Sequence, residues 1–146
     1  MTKEVLIAIS GVRITDGDPE QEDLTVRGSY YTKNGNHYLL YQEPGEGGAQ
    51  SRSTIKISPG SMDIMKNGSV RVHMRFEKGK KHVSGYLTPA GELTIGIFTE
   101  ATEFSQGEDY LQMDLEYSLE INGSHVSDCR IRVSARSVEE ERKAGI

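Results

Sequence analysis

The chain has one cysteine, no tryptophan, and no apolar run approaching the roughly twenty residues that a membrane-spanning helix needs. A lone thiol, Cys129, makes no intramolecular disulfide, which suits a reducing compartment, and redox chemistry would need a second thiol. The four histidines, His37, His73, His82 and His125, fall in no HxH or HExxH spacing, and Cys129 has no CxxC companion. No zinc motif is therefore present. GxSxG is missing, and neither Gly45-Glu46-Gly47-Gly48 nor Glu77-Lys78-Gly79-Lys80-Lys81-His82 carries the GK[ST] ending of a phosphate loop. The stretch from Asp16 to Asp23 alternates acids as a calcium loop does. Gln21 stands where that loop wants glycine and Arg27 where it wants a bidentate glutamate, so the stretch reads as a solvated acidic hairpin tip. The N-terminus, MTKEVLIAIS, lacks a small-residue cleavage site and reads as a first strand, with a cytoplasmic setting expected.

What is present is alternation. Val70-Arg71-Val72-His73-Met74-Arg75-Phe76 places apolar side chains at even positions and cations at odd ones, the period of a strand with one buried face. Runs of this kind predict strands over 4–14, 24–33, 36–43, 52–58, 61–66, 69–76, 82–87, 92–104, 110–121 and 125–136. Between them lie turn-formers: Asn34-Gly35, Pro59-Gly60, Asn67-Gly68, Lys78-Gly79, Ala90-Gly91 and Asn122-Gly123. Short turns make antiparallel neighbours. A series of one-faced strands with no long helix predicts an all-β, antiparallel up-and-down barrel of about eight to ten strands, because closure removes exposed edges; a two-sheet sandwich is the alternative. At 146 residues the chain suits one domain, with the barrel over 1–136 and a polar tail over 137–146.

Turn types set the expected registers. A three-residue loop with glycine last at Lys66-Asn67-Gly68 pairs Asp63 with Arg71 and Ile64 with Val70. The same loop at Lys33-Asn34-Gly35 pairs Tyr30 with Tyr38 and Tyr31 with His37. For the last hairpin any odd-length loop keeps both apolar sets together, and two registers stay open: Asp114 opposite Arg130, or Glu116 opposite Arg130 with Asp114 opposite Arg132.

Seven tyrosines are the strongest residual signal. Parity points Tyr30, Tyr38 and Tyr117 inward and leaves Tyr86 near a mouth; each fills space or orients a ligand. These four are the candidate contacts for a small apolar or amphipathic molecule inside the barrel. A second reading, from a different class, is a packed barrel that meets protein or nucleic acid through a basic stripe of Arg71, His73, Arg75, Lys80 and Lys81. The net charge of -5 and the lack of outward aromatics beside that stripe disfavour nucleic acid. No catalytic residue, metal, cofactor or membrane partner is expected, and oligomeric state is not encoded in any motif.

Gly28-Ser29-Tyr30-Tyr31, Tyr38-Leu39-Leu40-Tyr41-Gln42-Glu43, Thr54-Ile55-Lys56-Ile57, the run from Met65 to Phe76, and Gly91-Glu92-Leu93 together resemble the YwiB-like family of small bacterial proteins, from about Glu4 to Arg136. That resemblance implies a calycin-like, lipocalin-type barrel in a bacterial cytoplasm. It supplies no catalytic residue, and a ligand inside the barrel follows from it only by analogy of fold.

Overall fold

Each of the ten alternating runs is a strand: β1 (Lys3–Thr15), β2 (Asp18–Lys33), β3 (Asn36–Pro44), β4 (Gln50–Ser58), β5 (Ser61–Asn67), β6 (Arg71–Glu77), β7 (Lys81–Thr88), β8 (Gly91–Gln106), β9 (Tyr110–Ile121) and β10 (Ser124–Ser137). The computed structural model describes residues 3–44, 50–68 and 70–138. Every strand pairs antiparallel with its chain neighbours, and β10 returns to β1 to close the barrel. The seam from Val5↔Ser137 to Ile14↔Asp128 is fully paired, so closure rests on a long ladder. The predicted tail begins at the end of β10; its remainder, 139–146, lies outside the described residues, as does 45–49 between β3 and β4.

Turn chemistry corrects two registers. Asn34 and Gly35 both take positive φ, 53° and 79°, which makes a two-residue turn with Lys33 opposite Asn36. Tyr31 therefore faces Tyr38, and Tyr30 faces Leu39, one position away from the expected pairing. A slip of one residue turns a side chain to the other face. Tyr38 consequently lies outside the barrel, its ring stacked on Tyr31 at 4.8 Å. The β5–β6 connection is longer than a three-residue loop: Asp63 pairs with Arg75 and Ile64 with Met74, four positions from expectation. An even shift preserves faces, so the opposite charges still meet. In the last hairpin, Asn122-Gly123 forms a two-residue turn, and an irregularity between His125 and Ser127 restores parity, giving Glu116↔Arg130 and Asp114↔Arg132.

The acidic stretch after Asp16 is strand, not tip. Asp16 and Gly17 make the turn, with φ of 52° and 82°, and Asp18 to Asp23 pair along β1. β2 is bonded to β3 only from Ser29 to Lys33, so its earlier residues are paired on the β1 side alone among the described residues. The reason lies at Gly28. A Cβ there would sit 2.3 Å from the Leu40 carbonyl oxygen and 2.6 Å from Ile7 Cδ1, so β3 crosses close over β2 and then leaves it. The two strands splay on one side of that crossing.

The interior is accordingly unequal. Ile7, Ile55, Ile57, Met62, Phe76 and Met113 are fully buried and fill one half. Tyr30, His37 and Phe104 cap that half: the Tyr30 hydroxyl lies 2.7 Å from His37 Nδ1, and the His37 and Phe104 rings are 5.5 Å apart. The splayed half is left partly empty.

Candidate functional site

A cavity of about 330 Å³ occupies the half of the barrel where β1, β3 and β5 end. Its wall is apolar, from the inward comb of each strand: Ile9 on β1, Leu24 on β2, Ile64 on β5, Met74 on β6, Leu119 on β9 and Ile131 on β10. Gly11 continues the β1 comb, where a Cβ would meet only the Arg130 carbonyl oxygen at 3.8 Å, so the missing side chain leaves space. Such a volume lies at the small end of ligand sites, roughly 300–1,000 Å³.

The rim is charged. Beyond Gly11 the β1 comb reaches Arg13, whose Nη2 donates to Glu20 Oε2 at 2.9 Å and lies 3.7 Å from Glu22 Oε1. The hydrogen bond to Glu20 leads the effects that raise the Arg13 pKa. Across the opening Lys66 Nζ donates to Glu43 Oε1 at 3.3 Å. Tyr41 and Tyr117 line the wall beneath. Burial pushes both phenols well above their ordinary range, with Glu43 adding to the effect at Tyr41 and Cys129 at Tyr117. Both stay neutral at physiological pH and keep a proton to donate. Cys129 also lines the cavity, where burial raises its thiol against the opposing influence of Tyr117 and Arg13. A thiol held protonated is a poor nucleophile.

Of the four tyrosines expected as ligand contacts, the structure brings only Tyr117 to the cavity. Tyr30 points inward but belongs to the far cap; Tyr86 packs against the core on β7 and is not part of the cavity wall; Tyr38 is outside. Sequence parity did contain Arg13, on the same comb as Ile7 and Ile9. Glu20 and Glu22 were hidden by reading their strand as a turn, and Tyr41 by the one-residue slip in β3.

The expected basic stripe lies on the outer face but is interlaced with acid. Asp63, 3% exposed, accepts from Arg75 Nη1 at 3.1 and 3.0 Å and lies 2.9 Å from His73 Nε2. Glu77 lies within ion-pair distance of Arg75, Lys80 and His82, and hydrogen bonds from Lys80 and His82 hold its carboxyl below the usual range. Lys81 pairs with Glu120 at 2.6 Å. Among the described residues only Arg71 of the five meets no carboxylate, its Nε reaching the Asn67 side-chain oxygen at 3.4 Å. No cluster of three metal-ligating side chains occurs among the described residues.

Comparison with known proteins agrees with this architecture. The chain is 25% identical over 117 residues, 80% of its length and 82% of the relative's, to a Bacillus subtilis (strain 168) protein named "Uncharacterized beta-barrel protein YwiB". It also matches the crystal structure of ywiB protein from Bacillus subtilis with a TM-score of 0.84, covering 93% of this chain and 92% of that one at 22% identity, which establishes the shared fold. A family model described as "Domain of unknown function (DUF1934)" matches residues 7–133, nearly the whole barrel, and the chain belongs to that bacterial barrel family.

Proposed function

We propose that this protein is a non-enzymatic binder that holds a small apolar or amphipathic molecule in the cavity between Gly11 and Lys66. The cavity itself carries the reading: an apolar wall under a charged rim would solvate a molecule with one greasy and one polar end. A calycin-like assignment belongs to the same proposal, since a meander closed by its first and last strands is the lipocalin type of barrel. The raised Cys129 thiol favours binding over covalent chemistry. The outer face carries Asp63, Arg75, Glu77 and Arg132, the reverse of the apolar outer band of a membrane barrel, which favours an aqueous and, with its single cysteine, cytoplasmic setting. The rival reading, partner binding through the basic stripe, is weakened because four of its five cations already meet acids.

Native mass spectrometry of the protein purified gently from its host, beside a Gly11→Leu variant, tests this reading. The expected result is extra mass on the wild type that disappears on denaturation and is reduced at least several-fold in the variant, whose leucine would occupy the cavity. Bare chain mass in both, together with failure of an apolar fluorescent dye to bind the wild type, would discard it.

A further inference from the structure

Resting on the reading of the cavity as a ligand site, we infer that its ligand is an amphipathic cation: a compact apolar body ending in an amine or guanidinium group. The size follows from the volume, since about 330 Å³ holds on the order of ten non-hydrogen atoms, at roughly 30 Å³ for each water-sized volume. The sign follows from the rim. Arg13 and Lys66 are its inward cations, and each is already engaged, by Glu20 at 2.9 Å and by Glu43 at 3.3 Å. Glu22 is the third inward carboxylate and has only the longer 3.7 Å approach to Arg13. At the outer lip Arg130 Nε lies 3.7 Å from Glu116 Oε1, and Asp23 accepts from Gln21 Nε2 at 3.2 Å. An anion entering along the inward comb must displace a carboxylate from Arg13 or Lys66 and meet Glu22; a cation entering there finds Glu22 with acceptor capacity to spare.

A second observation lies deeper. Ser53, 1% exposed, stands on the inner comb of β4 with Tyr41 on one side and Lys66 on the other, both of them cavity residues. Its hydroxyl is close enough to the Tyr41 phenol to oppose the rise in that group's pKa, but the contact falls short of full hydrogen-bond geometry and leaves Ser53 Oγ without a well-formed partner. A buried hydroxyl without a well-formed partner is uncommon, and this one adjoins the charged end of the cavity beside Lys66.

The test uses the full chain and three probes that share one alkyl body, decylammonium, decanoate and decan-1-ol, titrated calorimetrically below their micelle concentrations, with Glu22→Gln as the variant. Glu22 has 82% of its side chain exposed, so its amide replacement leaves the fold alone. Decylammonium should bind about tenfold more tightly than decanoate, and Glu22→Gln should shrink that ratio to about threefold or less, as expected for a partly exposed charge contact. Decanoate binding as tightly as decylammonium, or a ratio unmoved by Glu22→Gln, overturns the assignment of charge while decan-1-ol binding keeps the cavity reading. Failure of all three probes removes the cavity reading and this inference with it.

Discussion

His37 is the residue whose setting departs furthest from what its neighbours in sequence suggest. It was placed opposite Tyr31 by the expected register, yet it points inward, half-buried between Tyr30 and Phe104. Burial lowers its pKa from 6.5 and raises that of Tyr30, so the neutral imidazole Nδ1 is placed to accept the Tyr30 hydroxyl proton. The sign of the stability effect follows. Below about pH 6.5 the unfolded chain binds a proton at His37 that the folded chain resists, so acidification favours unfolding until the lowered folded pKa is passed. Urea midpoints measured between about pH 7.5 and 5 should fall less steeply for His37→Phe than for the wild type. Parallel slopes would remove His37 as a source of acid sensitivity. Asp63 teaches a related lesson: read as one partner of an exposed cross-strand pair, it is buried and holds Arg75 and His73 together.

At the level of elements, β2 determines where the barrel opens. Its first eleven residues run with β1, Ser29 and Tyr30 pair with both β1 and β3, and Tyr31 to Lys33 pair with β3, so Gly28 marks the change. No other residue type fits, because a Cβ would be driven into the Leu40 carbonyl and the Ile7 side chain, with Tyr41 Cβ 3.2 Å away. Gly28→Ala should therefore cost about 3 kcal/mol or more, above the usual range for overpacking because one of the clashing atoms is backbone. Gly11→Ala, where a methyl meets nothing nearer than 3.8 Å, should stay within about 0.5 kcal/mol of the wild type. Chemical denaturation of the pair checks this. Equal stabilities would mean that β3 does not press on β2 at that crossing.

Over the whole molecule, the two halves of the interior should respond differently to lost volume. Ile57 is fully buried in the packed half, and truncation to alanine there should cost about 2–5 kcal/mol. Leu24 is half-buried beside the cavity, where its neighbours already lack partners on one side, and the same truncation should cost about 1.5 kcal/mol or less. Urea unfolding of the two variants compares the halves directly. Comparable losses would argue that the cavity is filled by side-chain rearrangement in solution. The proposed ligand site rests on that contrast: one half supplies enough burial to hold the fold, leaving the other free to stay open.

Alternation alone determined much of this protein. Ten strands, their apolar faces and the antiparallel meander were legible because a side-chain period of two and short turns are local properties, written within a few residues. The Arg132–Asp114 and Arg75–Asp63 pairs were legible in kind, since an acidic comb beside a basic one follows from parity even when the register does not. What tertiary structure decided was register, and through register the site. The expected Asn34-Gly35 loop differed by one residue, and that put Tyr38 outside and brought Tyr41 into the wall; the expected loop after Lys66 differed by an even number and changed no face. The cavity was least legible of all. It lies where β3, after its close approach at Gly28, parts from β2, a contact between distant backbones that no local pattern encodes, and its charged rim takes Glu20 and Glu22 from the part of β2 that pairs with β1 alone among the described residues.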